Sequence, residues 1–301
     1  THQPSYSLKS DINIELSGTL SPFFARKIEE VLNGQFRLFF EQPVFLDSWK
    51  SWRFHEEEHG NEHWSASPIN LIAGHDIKLT WDLSRFQWLM ESSLAFRHTG
   101  NQQILEVIER RVNSWCVSNP KNAGVNWVCA QECAIRMFHF VISTELLSPV
   151  CDQNKEFITE FVVANLRRIN ASLLYSISQD NNHGVTESAA LYIGALFLER
   201  NTHEKVSITE LAQWRKKGKK FLIDRLNKLV LQDGGFAMYS SNYHRSVLNL
   251  LVLVKVLEAR YTKEGIGKIL SSQAKKMIIW LESLADVNSG DFPNLGTNDG
   301  S

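Results

Sequence analysis

The sequence predicts an all-α fold, a ring of antiparallel helical hairpins preceded by an irregular N-terminal segment. Three observations predict it: helical periodicity dominates from about residue 80 onward, amphipathic segments alternate with segments that are apolar on most sides, and proline and glycine are sparse, at 7 and 16 of 301 residues. Hairpins whose alternate members are buried build a double-layered ring or solenoid. Because no fixed-period repeat is present, a ring of unequal hairpins is favoured over a regular tandem array.

The helical segments are of two kinds. Amphipathic segments are predicted to be outer helices, and the clearest carries the stripe Ile104, Ile108, Val112 and Trp115 at helical spacing. Comparable stripes run through 153–177, 207–230 and 268–285. Inner helices, apolar on most sides and therefore expected to be covered all round, are predicted at 127–147, 188–198 and 247–257. The segment 82–98 is intermediate between the two kinds.

The first 80 residues are less regular. They predict one helix near 22–32, a short extended stretch at 36–40 and a long irregular segment at 47–79. We therefore divide the chain into an N-terminal helical and irregular segment (1–80) packed on the ring, the helical domain itself (81–286), and a linker (287–301).

Charge and composition exclude several classes of protein. The chain has 32 basic and 33 acidic residues and a net charge of −1, which argues against a general nucleic-acid-binding protein. An acidic ligand must therefore be held by a local site. No apolar run is long enough to span a membrane. The chain begins at Thr1 without a signal-peptide pattern, and this start does not indicate the cellular compartment of the protein.

Two patterns suggest metal sites, and neither is favoured. Cys129 and Cys133 are one helical turn apart but have no second ligand pair at suitable spacing, so we expect the four cysteines to be free thiols. Residues 55–59 (HEEEH) satisfy the HExxH pattern of zinc proteases, in which two histidines bind the metal. The segment is almost wholly polar, Gly60 interrupts the helix and no third ligand follows clearly. An exposed loop or helix is predicted there, without a metal or other cofactor.

Polar residues cluster where the inner helices begin. In a ring of hairpins all inner helices run parallel, so their N-termini lie at one rim, where free N–H groups and partial positive charge suit an anion. Four clusters distant in sequence are thereby gathered on this rim. They are Arg85 and Gln87; Asn126 and Trp127; Asn181, Asn182 and His183; and Asn242, Tyr243, His244 and Arg245.

These residue types suit β-elimination on a uronate sugar. Removing the proton next to the carboxylate is difficult unless donors neutralise that anion, and Asn181, Asn182 and His183 supply an amide and an imidazole for this purpose. Tyr243 is a candidate acid, base or both. Its ordinary pKa of about 10 must fall if it is to act as a base, and the adjacent His244 and Arg245 are expected to lower it.

Each of these residues also has a structural interpretation. Residues 180–184 form a typical helix-capping turn. Tyr243 is equally a rim tyrosine, and Trp127 either a sugar platform or a core residue. Glu132 and Arg136, four residues apart on a buried helix, are typical of a structural ion pair. The basic run 215–220 is typical of a solvated helix face.

Four blocks of the chain resemble, in order, the helical toroid domain of heparinase II/III-like polysaccharide lyases, a group that includes heparinases and alginate lyases. The resemblance covers roughly residues 70–300. The blocks are TWDLSRFQWLMESSLAFRHTGN (80–101), GVNWVCAQECAIRMFHF (124–140), NNHGVTESAALYIGALFL (181–198) and LVLQDGGFAMYSSNYHRSVLNLLV (229–252).

The resemblance implies an incomplete α/α toroid. It also implies that Asn181 or Asn182, together with His183, neutralises the uronate carboxylate and that Tyr243 is the catalytic acid and, in some members, the base. Substrate-binding residues are then expected near the cleft. They are Arg85, Gln87, Asn126, Trp127, Glu132, Arg136, His244 and Arg245.

The resemblance further implies a C-terminal β-sandwich domain in the full-length protein, which adds a histidine to the cleft and which the linker 287–301 would join. That domain is absent from this chain, so we expect the chain alone to bind acidic oligosaccharides weakly and to turn them over poorly. A periplasmic or extracellular protein is also implied.

The function expected from the sequence is thus that of a polysaccharide lyase fragment acting on a uronic-acid-containing polysaccharide. The alternative is a non-catalytic acidic-glycan-binding or scaffold module of capsule or exopolysaccharide metabolism on the same fold. A hydrolase ranks last, because the rim clusters contain no obvious pair of carboxylates.

Overall fold

A computed structural model describes residues 5–8, 21–40, 43–45, 52, 62–66, 76–201 and 206–297. The chain divides into two compact units, Thr1–Arg168 and Ile169–Ser301, which we call the first and the second unit. Helices make up most of the described residues, and the named strands among them form one short antiparallel sheet, so the predicted all-α class is confirmed. The helical content does not test the domain boundaries predicted at residues 80 and 286, which stay predictions.

The first unit contains five complete helices among its described residues. They are α1 (Pro22–Leu32), α2 (Lys78–Ser84), α3 (Gln87–Thr99), α4 (Gln102–Ser118) and α5 (Ala130–Leu147). Its two strands, β1 (Gln35–Arg37) and β2 (Pro43–Phe45), pair antiparallel. Helix α6 (Lys155–Ser178) contains the boundary between the units.

Among its described residues, the second unit contains the end of α6 and four further helices. They are α7 (Asn182–Arg200), α8 (Ile208–Leu229), α9 (Ser241–Tyr261) and α10 (Gly267–Leu284).

Helix α1 begins where the sequence predicts a helix. The hydroxyl of Ser21 accepts a hydrogen bond from the backbone N–H of Phe24, and Pro22 occupies the first helical position. The extended stretch expected at 36–40 is only partly present, because β1 ends at Arg37 and the next three residues form a 3₁₀ turn.

The segment 82–98 is interrupted, whereas the sequence suggested one helical stretch. Phe86, between α2 and α3, has a left-handed backbone (φ 65°) that ends the first helix. Its ring is fully buried, meeting Trp115 edge to face at 5.0 Å and stacking on Phe161 at 5.6 Å. Burial of a large aromatic side chain thus stabilises an unfavourable backbone conformation that hydrophobic periodicity does not reveal.

Helix α4 has the predicted amphipathic character. Its stripe Ile104, Ile108, Val112 and Trp115 is buried, with no member more than 2% exposed. The side chain of Asn101 caps the helix by accepting from the N–H of Gln103. The hydrophobic spacing in the sequence therefore predicts the buried face correctly.

In the second unit, α7 and α8 pack antiparallel at very close range. A Cβ atom at Gly218 of α8 would lie 2.5 Å from the backbone nitrogen of Tyr192 in α7, so only glycine permits this approach. Arg215, early in α8, pairs with Glu199 near the end of α7. Arg225, late in α8, lies beside Gly184 near the start of α7, so the two helices run in opposite directions.

Helices α7 and α9 pack parallel to each other. At their starts, the backbone N–H of Asn182 lies 3.3 Å from the sulfur of Met238, three residues before α9. At their ends, the rings of Phe197 and Tyr261 meet edge to face at 5.9 Å, and Arg200 donates to the carbonyl of Arg260. The prediction that inner helices run parallel is confirmed for this pair.

The two inner helices of the second unit differ in how well they are covered. Helix α7 is buried along nearly its whole length, as expected for an inner helix. Helix α9 was expected to be covered all round, but Val252 and Val256 are 52% and 61% exposed. That expectation is wrong for α9, because no helix among the described residues of the second unit covers the face that carries Val252 and Val256.

Candidate active site

The turn before α7 is held by its own side chains. Asn181 is the N-cap, and its side-chain oxygen accepts from the backbone N–H of His183 at 2.9 Å. Its amide nitrogen donates to the side chain of Gln179 at 3.3 Å. The helix-capping interpretation of this turn is therefore confirmed for Asn181.

Helix α8 fixes the same turn from the side. Asp180, which has a left-handed backbone (φ 50°), accepts from Arg225 and from Lys228, the latter at 2.6 Å. Arg225 also donates to the carbonyl of Ile177 at 3.0 Å. The hydrogen bond from Lys228, assisted by Arg225, lowers the pKa of the Asp180 carboxyl group. The start of α7 is therefore a rigid platform.

Asn182 and His183 follow on the first turn of α7. Asn182 is 5% exposed, whereas the side chain of His183 is 32% exposed. The imidazole Nδ1 lies 3.7 Å from a carboxylate oxygen of Glu187, one helical turn later. Sequence reasoning missed Glu187, although the His-x-x-x-Glu spacing on a predicted helix was the available signal.

The start of α9 presents Tyr243 and Arg245. The hydroxyl of Ser240 caps this helix by accepting from the N–H of Tyr243 at 3.2 Å. Tyr243 is partly exposed and Arg245 is exposed, while Asn242 is buried. Because α7 and α9 are parallel and adjacent, Tyr243 lies at the same end of the second unit as Asn182 and His183.

His244 turns away from this end. It is 1% exposed, its ring stacks on Trp280 at 4.5 Å, and Nε2 donates to the carbonyl of Met277 at 3.1 Å. Burial lowers the pKa of this imidazole, despite the opposing hydrogen bond to Met277, so the ring is neutral at pH 7. The expectation that His244 supplies positive charge to Tyr243 is therefore wrong, and Arg245 is left as the neighbouring cation.

The C-terminal tail folds back over the start of α9. Leu295 accepts from the backbone N–H of Ser241 at 2.9 Å, and Ser240 donates to the carbonyl of Thr297 at 2.6 Å. A Cβ atom at Gly296 would lie 2.1 Å from the carbonyl oxygen of Tyr239. Residues 295–297 thus lie directly beside the helix start that carries Tyr243.

In the first unit, Arg85 and Glu132 form a two-pronged ion pair. The Nε and Nη2 atoms of Arg85 donate to the two carboxylate oxygens of Glu132 at 2.7 and 2.9 Å, and Nη1 donates to Asp82 at 3.2 Å. Burial raises the pKa of Asp82. Gln87, nearby on α3, donates to Glu91 at 3.0 Å. Glu132 is thus paired with Arg85, whereas the sequence suggested Arg136.

Asn126, Trp127 and Arg136 are core residues, each at most 1% exposed. Arg136 donates to the Asn126 carbonyl and to Asn165, both at 3.1 Å. Its guanidinium lies 4.7 and 5.1 Å from the ring centres of Trp115 and Trp127. The structure therefore favours core packing for Trp127 over the sugar-platform alternative.

The apolar cavity beside these residues is small, about 30 Å³, which is room for one or two water molecules. Four of the nine described residues that line it are aromatic, namely Trp115, Trp127, Phe157 and Phe161. The other five are Cys116, Asn119, Lys121, Glu160 and Ala164.

Of the two metal patterns in the sequence, the cysteine pair lies within the described residues and the HExxH segment does not. No group of three or more His, Cys, Asp or Glu residues with metal-binding geometry occurs among the residues that the structure describes. All four cysteines are free thiols. Residues 55–59, with the HExxH pattern, lie outside the described residues. Among the helices that the structure describes, none combines the length and the apolar character that a membrane span requires.

Comparisons with known proteins assign the family. The family model for the heparinase II/III N-terminus matches residues 24–291. A heparin-sulfate lyase from Bacteroides stercoris is 25% identical over 197 residues, which cover 58% of this chain and 28% of that protein.

Solved structures share the fold. A heparan sulfate lyase HepC mutant from Pedobacter heparinus matches with a TM-score of 0.61 and 15% identity over 96% of this chain and 43% of its own. A heparinase III matches with a TM-score of 0.60 and 17% identity over 89% of this chain and 41% of its own. The chain thus spans less than half the length of these relatives. The matches confirm the predicted toroid fold class, and the chain belongs to the heparinase II/III family.

Proposed function

We propose that the chain is the helical part of a polysaccharide lyase that cleaves a uronic-acid-containing polysaccharide by β-elimination. One observation supports the proposal above all: α7 and α9 begin side by side, joined by the contact between the Asn182 N–H and the Met238 sulfur at 3.3 Å. An amide, an imidazole and a phenol, all at helix N-termini, therefore share one end of the second unit.

The asparagine and histidine neutralise the uronate carboxylate in this proposal. Asn182 and His183 donate hydrogen bonds to it, and the N-terminus of α7 adds partial positive charge. As C5 loses its proton, negative charge spreads into the carboxylate, so these donors bind the transition state more strongly than the ground state. One such donor contributes about 3 kcal/mol. Asn181 is a weaker candidate, because its oxygen caps the helix and its amide contacts Gln179.

Tyr243 is the proposed acid and base. The C5–H bond breaks, a C4–C5 double bond forms, and the C4–O bond to the leaving sugar breaks, so no water is consumed. A tyrosinate accepts the C5 proton, and the tyrosine O–H protonates the departing oxygen. General acid–base catalysis of this kind contributes about 10²–10⁴-fold in rate.

The remaining predicted residues are proposed to bind acidic groups or to support helix starts, each within its own unit. Arg245 is exposed beside Tyr243, so we assign it to the acidic groups of neighbouring sugars. Arg85, Glu132 and Gln87 form the polar cluster of the first unit. Asn126, Trp127, Arg136 and His244 are buried, and they are proposed to act by supporting helix starts.

Heparan sulfate is the first substrate to test, because the curated relative is named a heparin-sulfate lyase. The β-sandwich domain implied by the sequence resemblance is also part of this proposal. Residues 295–297 lie beside the start of α9, so a domain that follows them would begin next to Tyr243.

The test is the full-length protein with and without Tyr243→Phe, assayed on heparan sulfate and other uronate polymers by ultraviolet absorbance of the unsaturated product. We expect product from the wild type and at least about a 10²-fold loss in the variant, with unchanged thermal unfolding. A variant that retains the wild-type rate would remove Tyr243 from the chemistry. Glycan binding without product in the wild type would support the binding-module alternative.

A further inference from the structure

A buried carboxylate lies beneath the exposed imidazole at the start of α7. Glu187 is 1% exposed, and one of its oxygens is 3.7 Å from Nδ1 of His183. The two residues are four positions apart on the same helix, so the helix itself fixes their spacing. The imidazole thus has one nitrogen directed toward the protein interior.

Glu187 has a hydroxyl donor on one oxygen and the imidazole of His183 facing the other. Its second oxygen accepts from the hydroxyl of Ser176 at 2.6 Å, which is a neutral donor. A buried carboxylate is unfavourable unless it is hydrogen-bonded and its charge is compensated. Glu132, by contrast, receives two hydrogen bonds from the cationic Arg85. Arg225 of α8 lies beside Gly184 but pairs with Asp180 and Asp224. The ion-pair partner of Glu187 is His183.

We propose that Glu187 is a positioning residue for His183. Its carboxylate orients the imidazole so that Nδ1–H points inward and Nε2 points outward, and it stabilises the doubly protonated ring. Such a ring donates an Nε2–H bond to an anion in front of α7. In the neutral ring, the same carboxylate selects the tautomer that has its proton on Nδ1.

This inference deepens the proposed function, because an oriented and positively charged His183 is a better neutraliser of a uronate than a freely rotating neutral one. It also explains why a buried acid is placed next to a site for acidic sugars. The carboxylate faces Nδ1, on the inner side of the ring, so the ring separates it from the anion that Nε2 binds.

The first test does not depend on lyase activity. In the 301-residue chain with ¹⁵N-labelled histidine, two-bond ¹H–¹⁵N spectra report which imidazole nitrogens carry protons, and His183→Ala identifies the signals. We expect Glu187→Gln, which keeps the acceptor for Ser176 but removes the charge, to lower the doubly protonated fraction of His183 at slightly acidic pH. In the neutral ring, we expect it to reduce the preference for a proton on Nδ1.

The matched control is Glu258→Gln. Glu258 is a second buried carboxylate of the same helix pair and also accepts a hydroxyl hydrogen bond at 2.6 Å, but it lies at the opposite end. We expect this variant to leave the His183 spectrum unchanged. A Glu187→Gln spectrum identical to that of the wild type would overturn the proposal, as would a neutral wild-type ring with its proton on Nε2.

The second test rests on the proposed function and uses the full-length protein with heparan sulfate. We expect Glu187→Gln to lower kcat at least about tenfold with a smaller change in KM, because an orienting carboxylate acts mainly in the transition state. Glu187→Asp, which restores the charge, should recover part of kcat. Unchanged kcat in Glu187→Gln would contradict the role of Glu187 in turnover. A wild type without activity would count against the proposed function, and the spectra would still decide the positioning role.

Discussion

The two buried carboxylates of the α7–α9 pair have different partners. Glu258, near the C-terminal end, accepts from the hydroxyl of Tyr192 at 2.6 Å and from the backbone N–H of Ile266 at 2.7 Å. Glu187, near the N-terminal end, accepts from the hydroxyl of Ser176 at 2.6 Å and faces the imidazole of His183 at 3.7 Å. The first carboxylate has two fixed donors, whereas the second faces a residue that can change its charge.

The comparison separates an end with a structural carboxylate from the end that we propose to bind substrate. Around Glu258, burial and the hydrogen bond to the carboxylate raise the pKa of Tyr192 well above its usual range, so that tyrosine stays neutral and acts only as a donor. Glu258 also fills the space that a side chain at Gly265 would need. Around Glu187, His183 and Tyr243 are partly exposed. This imidazole and this phenol lie at the N-terminal end, which is the end that we propose for ligand binding.

The largest expected effect lies at the N-terminal end. His183→Ala should lower kcat/KM on heparan sulfate about 10²–10³-fold, because it removes a donor to the transition-state anion. Since the side chain is partly exposed, the free energy of unfolding should change by no more than about 0.5 kcal/mol. Steady-state kinetics and urea unfolding of the full-length protein measure the two effects. A wild-type rate in this variant would mean that the imidazole does not contact the reacting sugar.

The next largest effect lies at the C-terminal end, where we expect a loss of stability without a loss of kcat. Glu258→Ala leaves the hydroxyl of Tyr192 and the N–H of Ile266 buried without an acceptor, so the free energy of unfolding should fall by about 2–4 kcal/mol. The kcat value of the folded fraction should not change. Glu264→Ala, an exposed acid in the adjoining turn, is the matched control and should be nearly neutral. Loss of kcat in the folded Glu258→Ala protein would break the distinction between the two ends.

A smaller effect separates the two neighbouring asparagines. Asn181→Ala should reduce stability by about 1 kcal/mol through loss of the α7 cap, while Asn181→Ser keeps a capping oxygen and should restore most of it. If Asn182 is the functional amide, Asn181→Ser retains activity. Thermal unfolding and kinetics of the two variants measure this, and a large rate loss in the stable Asn181→Ser protein would assign the catalytic amide to Asn181 instead.

The smallest effect is a dependence of stability on pH. Burial lowers the pKa of His244 below the value of about 6.5 for an exposed imidazole. The unfolded chain therefore gains a proton at a higher pH than the folded chain, and stability is lost as the pH falls through that range. The free energy of unfolding should therefore fall between about pH 8 and pH 6. His244→Phe, which keeps a ring against Trp280, should reduce this fall by at most about 0.8 kcal/mol.

Urea unfolding at several pH values measures this dependence. Burial also lowers the pKa of His139. His139 therefore adds its own pH dependence of stability, which is the same in the wild type and in His244→Phe. Identical slopes for the wild type and His244→Phe would show that His244 titrates as an exposed histidine.

The sequence predicts the helices well and the interactions between them less well. The spacing of Ile104, Ile108 and Val112 specifies a buried stripe, because hydrophobic periodicity is a local property. The polar residues of 180–184 likewise specify the start of α7. Sequence reasoning does not reveal the helix break at Phe86, because the tertiary packing of a single ring causes it.

The candidate site shows the same limit. Asn181, Asn182, His183 and Tyr243 are identifiable because their residue types suit the chemistry and precede inner helices. The partners of Arg85 and Arg136 are not predictable from their spacing, because α2 and α3 bring Arg85 to Glu132 while the loop before α5 brings Asn126 to Arg136. The role of Glu187 depends on its burial beside Ser176 in a different helix, which local sequence does not encode.

The most direct test of the central claim is a crystal structure of the full-length Tyr243→Phe protein with a heparan sulfate oligosaccharide. The account predicts one uronate with its carboxylate within hydrogen-bond distance of Asn182 and of Nε2 of His183, and with C5 facing the ring at position 243. A uronate bound away from the starts of α7 and α9, or one whose carboxylate contacts neither residue, would contradict it.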